Sequence, residues 1–275
     1  MMPKKSKNKG WKIAGKSLLF LVKTPYYLGK GIYYTGKGVY QAGKYVSKKN
    51  KERKINQKRE AIVPRYEEFK IIKPEIGAYF DWEKSIYESD SKIGIILGAR
   101  GSGKSAFGIK FLENLMAKKN KKCYAMGFKA SEMPEWIKVV ENIEQLENNA
   151  FVLIDEGGIL FSSRNAMSNA NKLLSELIMI ARHKNLSIIF ISQNSSNLEV
   201  NILRQADFLV LKPSSLLQKD FERKIVQKIY EKAEEDFEKF KEDKGLTHIY
   251  SSNFVGFVSN PLPSFWGTNI SKSFG

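Results

Sequence analysis

The feature that most constrains the fold of this chain is a glycine-rich stretch at positions 98–105. It consists of Gly-Ala-Arg-Gly-Ser-Gly-Lys-Ser and has the spacing G-x-x-x-x-G-K-S. The apolar run Lys92–Leu97 precedes it and predicts a buried strand. Apolar residues with helical spacing follow it and predict a helix over Ala106–Lys119. The chain must therefore pass from a strand through a glycine loop directly into a helix, which is typical of an α/β protein.

This loop has the residues that are needed to hold phosphate groups. Glycines let backbone N–H groups approach an anion closely, and the helix that follows directs its positive end towards that anion. The lysine would reach the β- and γ-phosphates of a nucleotide, and the next serine would ligate Mg²⁺. We expect the contacts to ATP to come from nine consecutive residues: Gly98, Ala99, Arg100, Gly101, Ser102, Gly103, Lys104, Ser105 and Ala106.

A second buried strand is predicted over Asn149–Glu156, and it ends in two carboxylates. We expect Asp155, together with Ser105, to hold Mg²⁺, and Glu156 to orient or deprotonate an attacking water. Glu156 and Lys104 are therefore candidate catalytic residues. Adjacent Asp and Glu indicate a hydrolase rather than a kinase, because a water nucleophile needs a base. The alternative interpretation is that both acids merely cap the end of a surface strand.

Polar amides follow another predicted strand. Gln193 and Asn194 come directly after the apolar run Leu186–Ser192. An amide at this strand end would contact the γ-phosphate or the attacking water, which makes Gln193 a further candidate catalytic residue. The alternative, a turn residue whose hydrogen bonds are satisfied locally, applies more strongly to Asn194.

The remaining pattern predicts an α/β fold with a mostly parallel sheet and helices on both faces. Further strands are predicted over Lys121–Gly127 and Asp207–Leu211, and helices over Ser131–Leu146, Asn165–His183 and Leu216–Lys244. Residues Thr247–Ser251 and Phe254–Ser259 predict a hairpin. In such a sheet the ligand lies at the carboxyl ends of the strands. The single cysteine and the two histidines exclude a disulfide framework and make a thiolate or histidine metal centre a poor fit.

The first 59 residues form a strongly basic extension. They contain 17 of the 46 Lys and Arg residues and one of the 29 acids, so the remainder is almost neutral. Seven lysines recur at every seventh position: Lys9, Lys16, Lys23, Lys30, Lys37, Lys44 and Lys51. On a helix they would form one slowly turning stripe. The glycines at positions 29, 31, 36, 38 and 43 disfavour a helix here, so an arm that becomes ordered only on meeting a partner is the alternative.

A cationic arm suits a polyanion such as nucleic acid, or an anionic membrane or capsid surface. No uncharged run between Lys4 and Lys51 exceeds six residues, which is too short to span a membrane. We expect a cytoplasmic or virion-associated protein, peripheral to a membrane at most and not secreted. Residues Lys48–Arg59 are predicted to form a linker, which divides the chain into an arm and linker at 1–59 and a globular domain at 60–275.

The order of these motifs is specific. The segments Gly98–Ser105, Phe151–Glu156 and Ala181–Leu186, the last running into Phe190–Asn194, resemble the FtsK–HerA superfamily of DNA-pumping ATPases. The chain looks most similar to the compact viral genome-packaging ATPases and their archaeal relatives, over roughly Lys92–Pro213. The resemblance implies a RecA-like P-loop NTPase fold, ATP and Mg²⁺, double-stranded DNA as partner, and a homo-oligomeric ring, usually a hexamer.

The resemblance further implies an arginine that acts on the site of a neighbouring subunit. Arg182 is the candidate, because it ends the helix that leads into the strand before Gln193. A guanidinium in this position would neutralise charge that builds up on the γ-phosphate. Arg164 and Arg204 are rivals for this role. The plain alternative is that Arg182 interacts only with the carboxyl end of its own helix.

The expected function is that of an ATP-hydrolysing motor that packages double-stranded DNA into a virion. The phage assembly ATPases that are similar to zonular occludens toxin share the Arg-His-to-Gln region with this chain. They supply the alternative, a membrane-docked assembly or export ATPase that acts on protein. A nucleotide-binding switch with little turnover is a third hypothesis, which the Asp-Glu pair disfavours.

Overall fold

The computed structural model describes residues 44–156 and 166–267, without the side chains of residues 166–171, 173 and 216. The chain divides into two compact units, Met1–Gln57 and Lys58–Gly275. Predictions for residues 1–43, and for Arg164, lie outside the described residues.

Residues 44–60 form a helix, α1, which includes the segment Lys48–Arg59 that the sequence assigns to a linker. Lys44 and Lys51 of the heptad pattern both lie on it and are exposed. The segment contains neither glycine nor proline and is rich in Lys, Glu, Arg and Gln, which have high helix propensity. Its polar composition, which suggested a linker, is thus also that of a solvated helix.

One mixed sheet of nine strands forms the framework of the second unit. The strands are β1 (Lys70–Gly77), β2 (Ile93–Leu97), β3 (Lys122–Met126), β4 (Ile137–Val139), β5 (Ala150–Asp155), β6 (Ser187–Ile191), β7 (Phe208–Leu211), β8 (Leu246–Ser251) and β9 (Phe254–Ser259). Their order is β1-β9-β8-β7-β2-β6-β5-β3-β4. The six strands from β7 to β4 run parallel, and β8, β9 and β1 extend the sheet in antiparallel pairing.

Helices cover both faces of this sheet, as predicted. The helices of the second unit that follow α1 are α2 (Tyr79–Tyr87), α3 (Lys104–Lys119), α4 (Ala166–Lys184), α5 (Val200–Gln205), α6 (Leu216–Asp220) and α7 (Lys224–Lys239). Helices α2 and α3 pack with Ile96 and Leu153 in one core, whereas α4, α5 and α7 pack with Ile95 and Leu97 in another. Neighbouring residues of β2 thus point to opposite faces, and every residue of β2 is buried. Among the described helices, none is both long and apolar enough to cross a membrane.

Two predicted helices differ from the structure. The segment 131–146 forms the short strand β4 between two 3₁₀ turns, because Pro134 interrupts a helix and Ile137–Val139 pairs with β3. The predicted helix 216–244 is broken into α6 and α7. At the break, buried Glu222 accepts a hydrogen bond from the Ser195 backbone N–H at 2.6 Å, which holds the chain in a turn.

The segments flanking the sheet are packing elements. The predicted hairpin is present as β8 and β9. After it, the ring of Phe265 meets Trp136 edge-on with centroids 5.9 Å apart, and the Ser264 N–H donates to Glu113 at 3.0 Å. Tyr79 and Trp82 of α2 are each 1% exposed and belong to the core. The structure thus accounts for these aromatic residues by burial alone.

The sheet register brings the polar strand ends together. Ile191, the last residue of β6, pairs with Ile96 on one side and with Asp155 on the other. Because these strands are parallel, their carboxyl ends share one edge. The glycine loop after β2, the acids at the end of β5 and the amides after β6 therefore lie along the same edge of the sheet.

Packing across β2 generates a stability prediction at Gly94. A Cβ atom there would lie 2.1 Å from Cζ of Phe208, whose buried ring also packs against Trp82. Gly94→Ala must displace this ring, so we expect the free energy of unfolding to fall by about 1–3 kcal/mol. Denaturant unfolding measures the change. Gly267→Ala is the control, because a Cβ there has no neighbour within 4 Å; equal stability of the two variants would contradict this packing.

Candidate active site

The glycine loop begins directly after β2 and has a backbone that requires glycine. Gly101 has φ +77° and Gly103 has φ +91°, both in the left-handed region that other residues rarely adopt. A Cβ at Gly101 would meet nothing within 4 Å, so backbone conformation alone explains this glycine. The loop thus turns sharply and leaves its backbone free to approach a ligand.

Helix α3 starts at Lys104, and its first turn faces the loop. Gly103 precedes this turn and provides no side-chain cap, and the first turn contains no acidic residue. The N–H groups at the start of a helix have no partner within the helix, and the helix dipole gives them partial positive charge. The loop and the start of α3 are together suited to bind an anion such as phosphate.

Lys104 is buried beside the loop. Its Nζ donates hydrogen bonds to the backbone oxygens of Gly98 at 2.7 Å and Ala99 at 2.8 Å. Burial lowers the pKa of this lysine to about 8, against the opposing influence of the Asp155 and Glu156 carboxylates. The amine is thus held at the loop by neutral oxygens and is near two negative charges.

Ser105 and Asp155 meet across the edge of the sheet. The Ser105 hydroxyl donates to Oδ2 of Asp155 at 3.0 Å, and Asp155 is 7% exposed. Both groups present the hard oxygen ligands that Mg²⁺ prefers. The described residues contain no cluster of three or more His, Cys, Asp or Glu side chains suited to a metal. One hydroxyl and one carboxylate fit Mg²⁺, which commonly takes few protein ligands and completes its shell with waters and substrate phosphates.

Glu156 lies next to this pair and is 4% exposed. Its carboxylate accepts a hydrogen bond from the Ser192 hydroxyl at the end of β6. Burial raises the pKa of Glu156 above its usual range, and the charge of Asp155 adds to this effect. The hydrogen bonds from Ser192 and from the Gln193 backbone N–H act in the opposite direction. A buried carboxylate with a raised pKa that is held in place by a hydroxyl is suited to accept a proton.

Gln193 and Asn194 have different environments. The Asn194 side chain accepts from the Ser196 backbone N–H at 2.7 Å and caps the turn Ser195–Asn197, which makes it a locally satisfied turn residue. The Gln193 side chain is exposed, and its backbone carbonyl accepts from the Gln218 side chain. Of the two amides, only Asn194 has its side chain in the turn's hydrogen bonds, whereas Gln193 contacts Glu156 through its backbone N–H.

Arg182 lies at the opposite edge of the sheet. It is exposed in the last turn of α4, directly before the amino end of β6. Strand β6, about 16 Å long at 3.3 Å per residue, separates this end from Ser192. Arg204 is likewise exposed, at the end of α5 before β7. Neither side chain forms a hydrogen bond or an ion pair with the described residues, and neither belongs to the site of its own chain.

Ser192 is a site residue that the sequence reasoning missed. It is the last residue of a predicted strand, directly before the candidate amides Gln193 and Asn194. A polar residue that ends an apolar strand next to a predicted acidic strand end is the signal that points to it. Its partner, however, becomes evident only from the pairing of Asp155 with Ile191.

Comparisons with known proteins give one family match. Residues 127–221 match the model of the zonular occludens toxin (Zot) family, so the match begins after the glycine loop and includes Asp155, Glu156, Arg182 and Gln193. It spans about a third of the chain. No curated protein matches the sequence.

Several solved structures are similar to this chain. The genome packaging NTPase B204 from Sulfolobus turreted icosahedral virus 2, in complex with ATPγS, is 18% identical over 63% of this chain and 98% of its own, with a TM-score of 0.45. The conjugation coupling protein TcpA of pCW3 is 15% identical over 78% and 75%, with a TM-score of 0.43. EssC (ATPases 2 and 3) from Geobacillus thermodenitrificans is 13% identical over 68% and 43%, with a TM-score of 0.42.

Of these proteins, B204 is a genome packaging NTPase, which is the class of protein that the sequence motifs resemble. At these identities and TM-scores the similarity does not identify what this chain acts on. What the chain acts on must therefore be inferred from its own residues. A phosphate loop, a hydroxyl–carboxylate pair and a buried glutamate lie along one edge of the sheet. The mostly parallel sheet with a glycine-rich phosphate loop between β2 and α3 is the fold of a P-loop NTPase.

The contact between Ser192 and Glu156 generates a prediction. The hydrogen bond favours the charged carboxylate, so Ser192→Ala should raise the pKa of Glu156 further. We expect the acid limb of the ATPase rate profile to move to higher pH and the maximal rate to fall by about tenfold or less. Rates measured across pH check this, with Ser196→Ala, an exposed hydroxyl on the adjoining turn, as control. An unchanged acid limb would remove Ser192 from this role.

Proposed function

We propose that the chain is an ATP-hydrolysing motor that moves double-stranded DNA, as in packaging a genome into a virion. The observation that carries the hydrolytic part is the contact between Ser105 and Asp155, with buried Glu156 beside it. These three groups and Lys104 come from distant parts of the sequence, and each has the chemistry that one step of ATP hydrolysis requires.

The residues have separate roles in the reaction. The loop N–H groups and Lys104 bind the β- and γ-phosphate oxygens and hold the γ-phosphorus in line with a water. Glu156 accepts a proton from this water as its oxygen forms a bond to the γ-phosphorus. The bond from the γ-phosphorus to the bridging oxygen breaks, and its electron pair leaves with ADP. Gln193 is placed next to Glu156 and contacts the same water or phosphate.

Ser105 and Asp155 would hold Mg²⁺, which when bound neutralises charge on the phosphate oxygens. Their oxygens are 3.0 Å apart, so both can face one ion. The protein contributes the position of this pair, because α3 fixes Ser105 and β5 fixes Asp155.

The motor works as a ring of copies, with a hexamer as the expected form. Arg182 is exposed at the edge opposite the phosphate loop of its own chain. A guanidinium from that edge reaches a γ-phosphate only in a neighbouring copy, where it neutralises charge in the transition state. Hydrolysis in one subunit then depends on contact with the next subunit, which couples the hydrolysis cycles of neighbouring subunits in the ring.

The basic extension provides attraction to DNA. Residues 1–59 contain 17 Lys and Arg residues and one acid, and those on α1 are exposed, with Arg59 half-buried. Such a segment is attracted to phosphate groups without sequence specificity. The same charge suits an anionic membrane or capsid surface, which would place the protein in the cell interior or with the virion. The division into this arm and an ATPase domain at 60–275 is part of the proposal.

A second function is favoured by the family match over residues 127–221. On this reading the chain is a membrane-docked ATPase for virion assembly or export that acts on protein. The extension would then dock on anionic lipid rather than on DNA. Both functions use the same hydrolytic site and differ in the polyanion that stimulates it.

The choice between them generates a prediction. We expect duplex DNA to stimulate ATP hydrolysis by the full-length protein by about tenfold at low salt, with the effect lost as salt rises because phosphate contacts release counterions. Steady-state ATPase rates with duplex DNA, with vesicles of anionic lipid and with neutral vesicles are the measurement. Stimulation by anionic vesicles with no response to DNA would overturn the DNA motor and support the second function.

The shared site generates a further prediction by subunit mixing. Glu156→Gln should bind ATP but lose about 100-fold or more of the rate, and Arg182→Ala should also be inactive, because each lacks one half of a composite site. Mixing the two variants should restore part of the activity, since sites with intact Glu156 then meet neighbours with intact Arg182. Steady-state ATPase rates of each variant and of the mixture are the measurement.

Two controls define this mixing experiment. Glu231→Gln changes an exposed carboxylate on α7 and should leave the rate unchanged. Arg204→Ala mixed with Glu156→Gln tests the rival arginine in the same way. An inactive mixture of Glu156→Gln and Arg182→Ala would exclude Arg182 as the arginine that acts across subunits.

A further inference from the structure

Lys212, the residue directly after β7, lies against the phosphate loop. Its backbone N–H donates to the Leu97 oxygen at 2.8 Å, and the Ala99 N–H donates to the Pro213 oxygen at 3.0 Å. The segment 212–213 therefore pairs with the chain on both sides of Gly98. The loop is anchored by this neighbouring strand as well as by β2.

The side chain of Lys212 runs along the loop. A Cβ atom at Gly98 would lie 2.6 Å from Cβ of Lys212, and one at Gly103 would lie 3.7 Å from its Cε and Nζ. The lysine stem thus spans from the first to the last glycine of the motif. The absence of a side chain at Gly98 makes room for Lys212.

The ammonium group of Lys212 is completely buried and makes three hydrogen bonds. Its Nζ donates to the backbone oxygens of Gly245 at 3.0 Å and Leu246 at 3.2 Å, and to Oδ1 of Asn260 at 2.7 Å. The Thr247 hydroxyl donates to the same Oδ1 at 3.0 Å and helps to orient it. All three donors of the ammonium are therefore used, and they connect the loop to the two ends of the β8–β9 hairpin.

These partners satisfy the hydrogen bonds but leave the charge uncancelled. All three acceptors are neutral oxygens, and burying a cation without a countercharge is costly. Burial accordingly lowers the pKa of Lys212 to about 7, with Asp243 opposing the effect. A methionine would fill the same space without this cost. A buried cation next to a loop that binds a highly charged anion contributes what methionine cannot, because charges interact strongly where water is excluded.

We propose that Lys212 is a positioning residue for ATP: its stem shapes Gly98–Gly103, and its ammonium, held by the hairpin, adds positive charge behind the loop. The inference rests on the nucleotide-binding part of the proposed function. It extends the site from the strand ends of the core to the antiparallel hairpin. Residues 245–260 thereby become part of the support of the phosphate loop.

Lys212→Met tests this proposal, because it keeps the stem and removes the ammonium. We expect the Kd for a fluorescent ATP analogue, and the KM for ATP, to rise about tenfold. The kcat at saturating ATP should stay within about twofold, because the variant leaves Glu156 and Ser192 untouched. A folded Lys212→Met protein with unchanged Kd overturns the proposal.

Asn260→Asp provides the test even if Lys212→Met does not fold. It keeps the acceptor oxygen next to Nζ and places a countercharge there, at the loss of the 3.2 Å hydrogen bond from Asn260 Nδ2 to the Pro261 oxygen. The Lys212 stem is unchanged, so its contacts with the loop are kept. We expect the Kd to rise several-fold, about threefold to tenfold, with thermal unfolding unchanged or shifted upwards. An unchanged Kd in this variant overturns the charge contribution and with it the proposal.

Asn253→Asp is the matched control, since it adds the same charge to the exposed turn of the same hairpin. Its Kd should equal that of the unmodified protein. An equal loss of affinity in both Asn→Asp variants overturns the proposal in favour of an effect of net charge.

The unmodified protein distinguishes a failure of the proposed function from a failure of the role of Lys212. If it does not bind the analogue, the proposed function fails; if it binds and either folded Lys212→Met or Asn260→Asp binds equally well, only the role of Lys212 fails.

Discussion

Parallel pairing of β2, β6 and β5 is the constraint on which the site depends. Ile191 pairs with Ile96 on one side and with Asp155 on the other. The loop that follows β2 and the carboxylate that ends β5 therefore lie at the same level along the strand direction. A slip of β5 by one residue would move Asp155 by about 3.3 Å and turn its side chain to the other face of the sheet. What prevents the slip is burial: every residue of β5 is buried, and its alternate side chains enter two different cores. The contact between Ser105 and Asp155 is therefore set by apolar packing that contains none of the reacting groups.

Sequence reasoning predicted the parts of this structure whose signals are local. Glycine spacing, a flanking strand and a flanking helix define the phosphate loop, and short β-branched runs bounded by polar residues define the central strands. Several of the failures depend on a distant contact, whereas Pro134 and the helix propensity of residues 44–60 are local signals. Residues 137–139 are a strand because β3 accepts them as a partner, and the break before α7 exists because Glu222 meets Ser195. Ser192 and Lys212 could not be assigned because their partners are 36 and 33–48 residues away in sequence.

Three ionisable residues at the site have pKa values displaced towards the neutral form by burial. The pKa of Lys104 is lowered to about 8, that of Lys212 to about 7, and that of Glu156 is raised. Each burial costs stability in the isolated chain, because water solvates charge better than the protein interior does. A triphosphate changes this balance, since its charge favours both ammonium groups. For the two lysines, the cost of burial is therefore lowered when a triphosphate binds as proposed, whereas the same charge disfavours the Glu156 carboxylate.

The position of the arginines would give the proposed ring of copies a direction. Arg182 and Arg204 both precede strands, whereas the phosphate loop follows one, so the arginines and the loop lie at opposite edges of a parallel sheet. A head-to-tail contact, in which two unlike surfaces meet, places the arginine edge of one copy at the loop edge of the next. It leaves a free loop on one copy and a free arginine edge on the other, so it repeats into a closed ring or an open filament, according to the rotation between copies. If Arg182 acts across subunits, as proposed, the ring forms where this rotation closes.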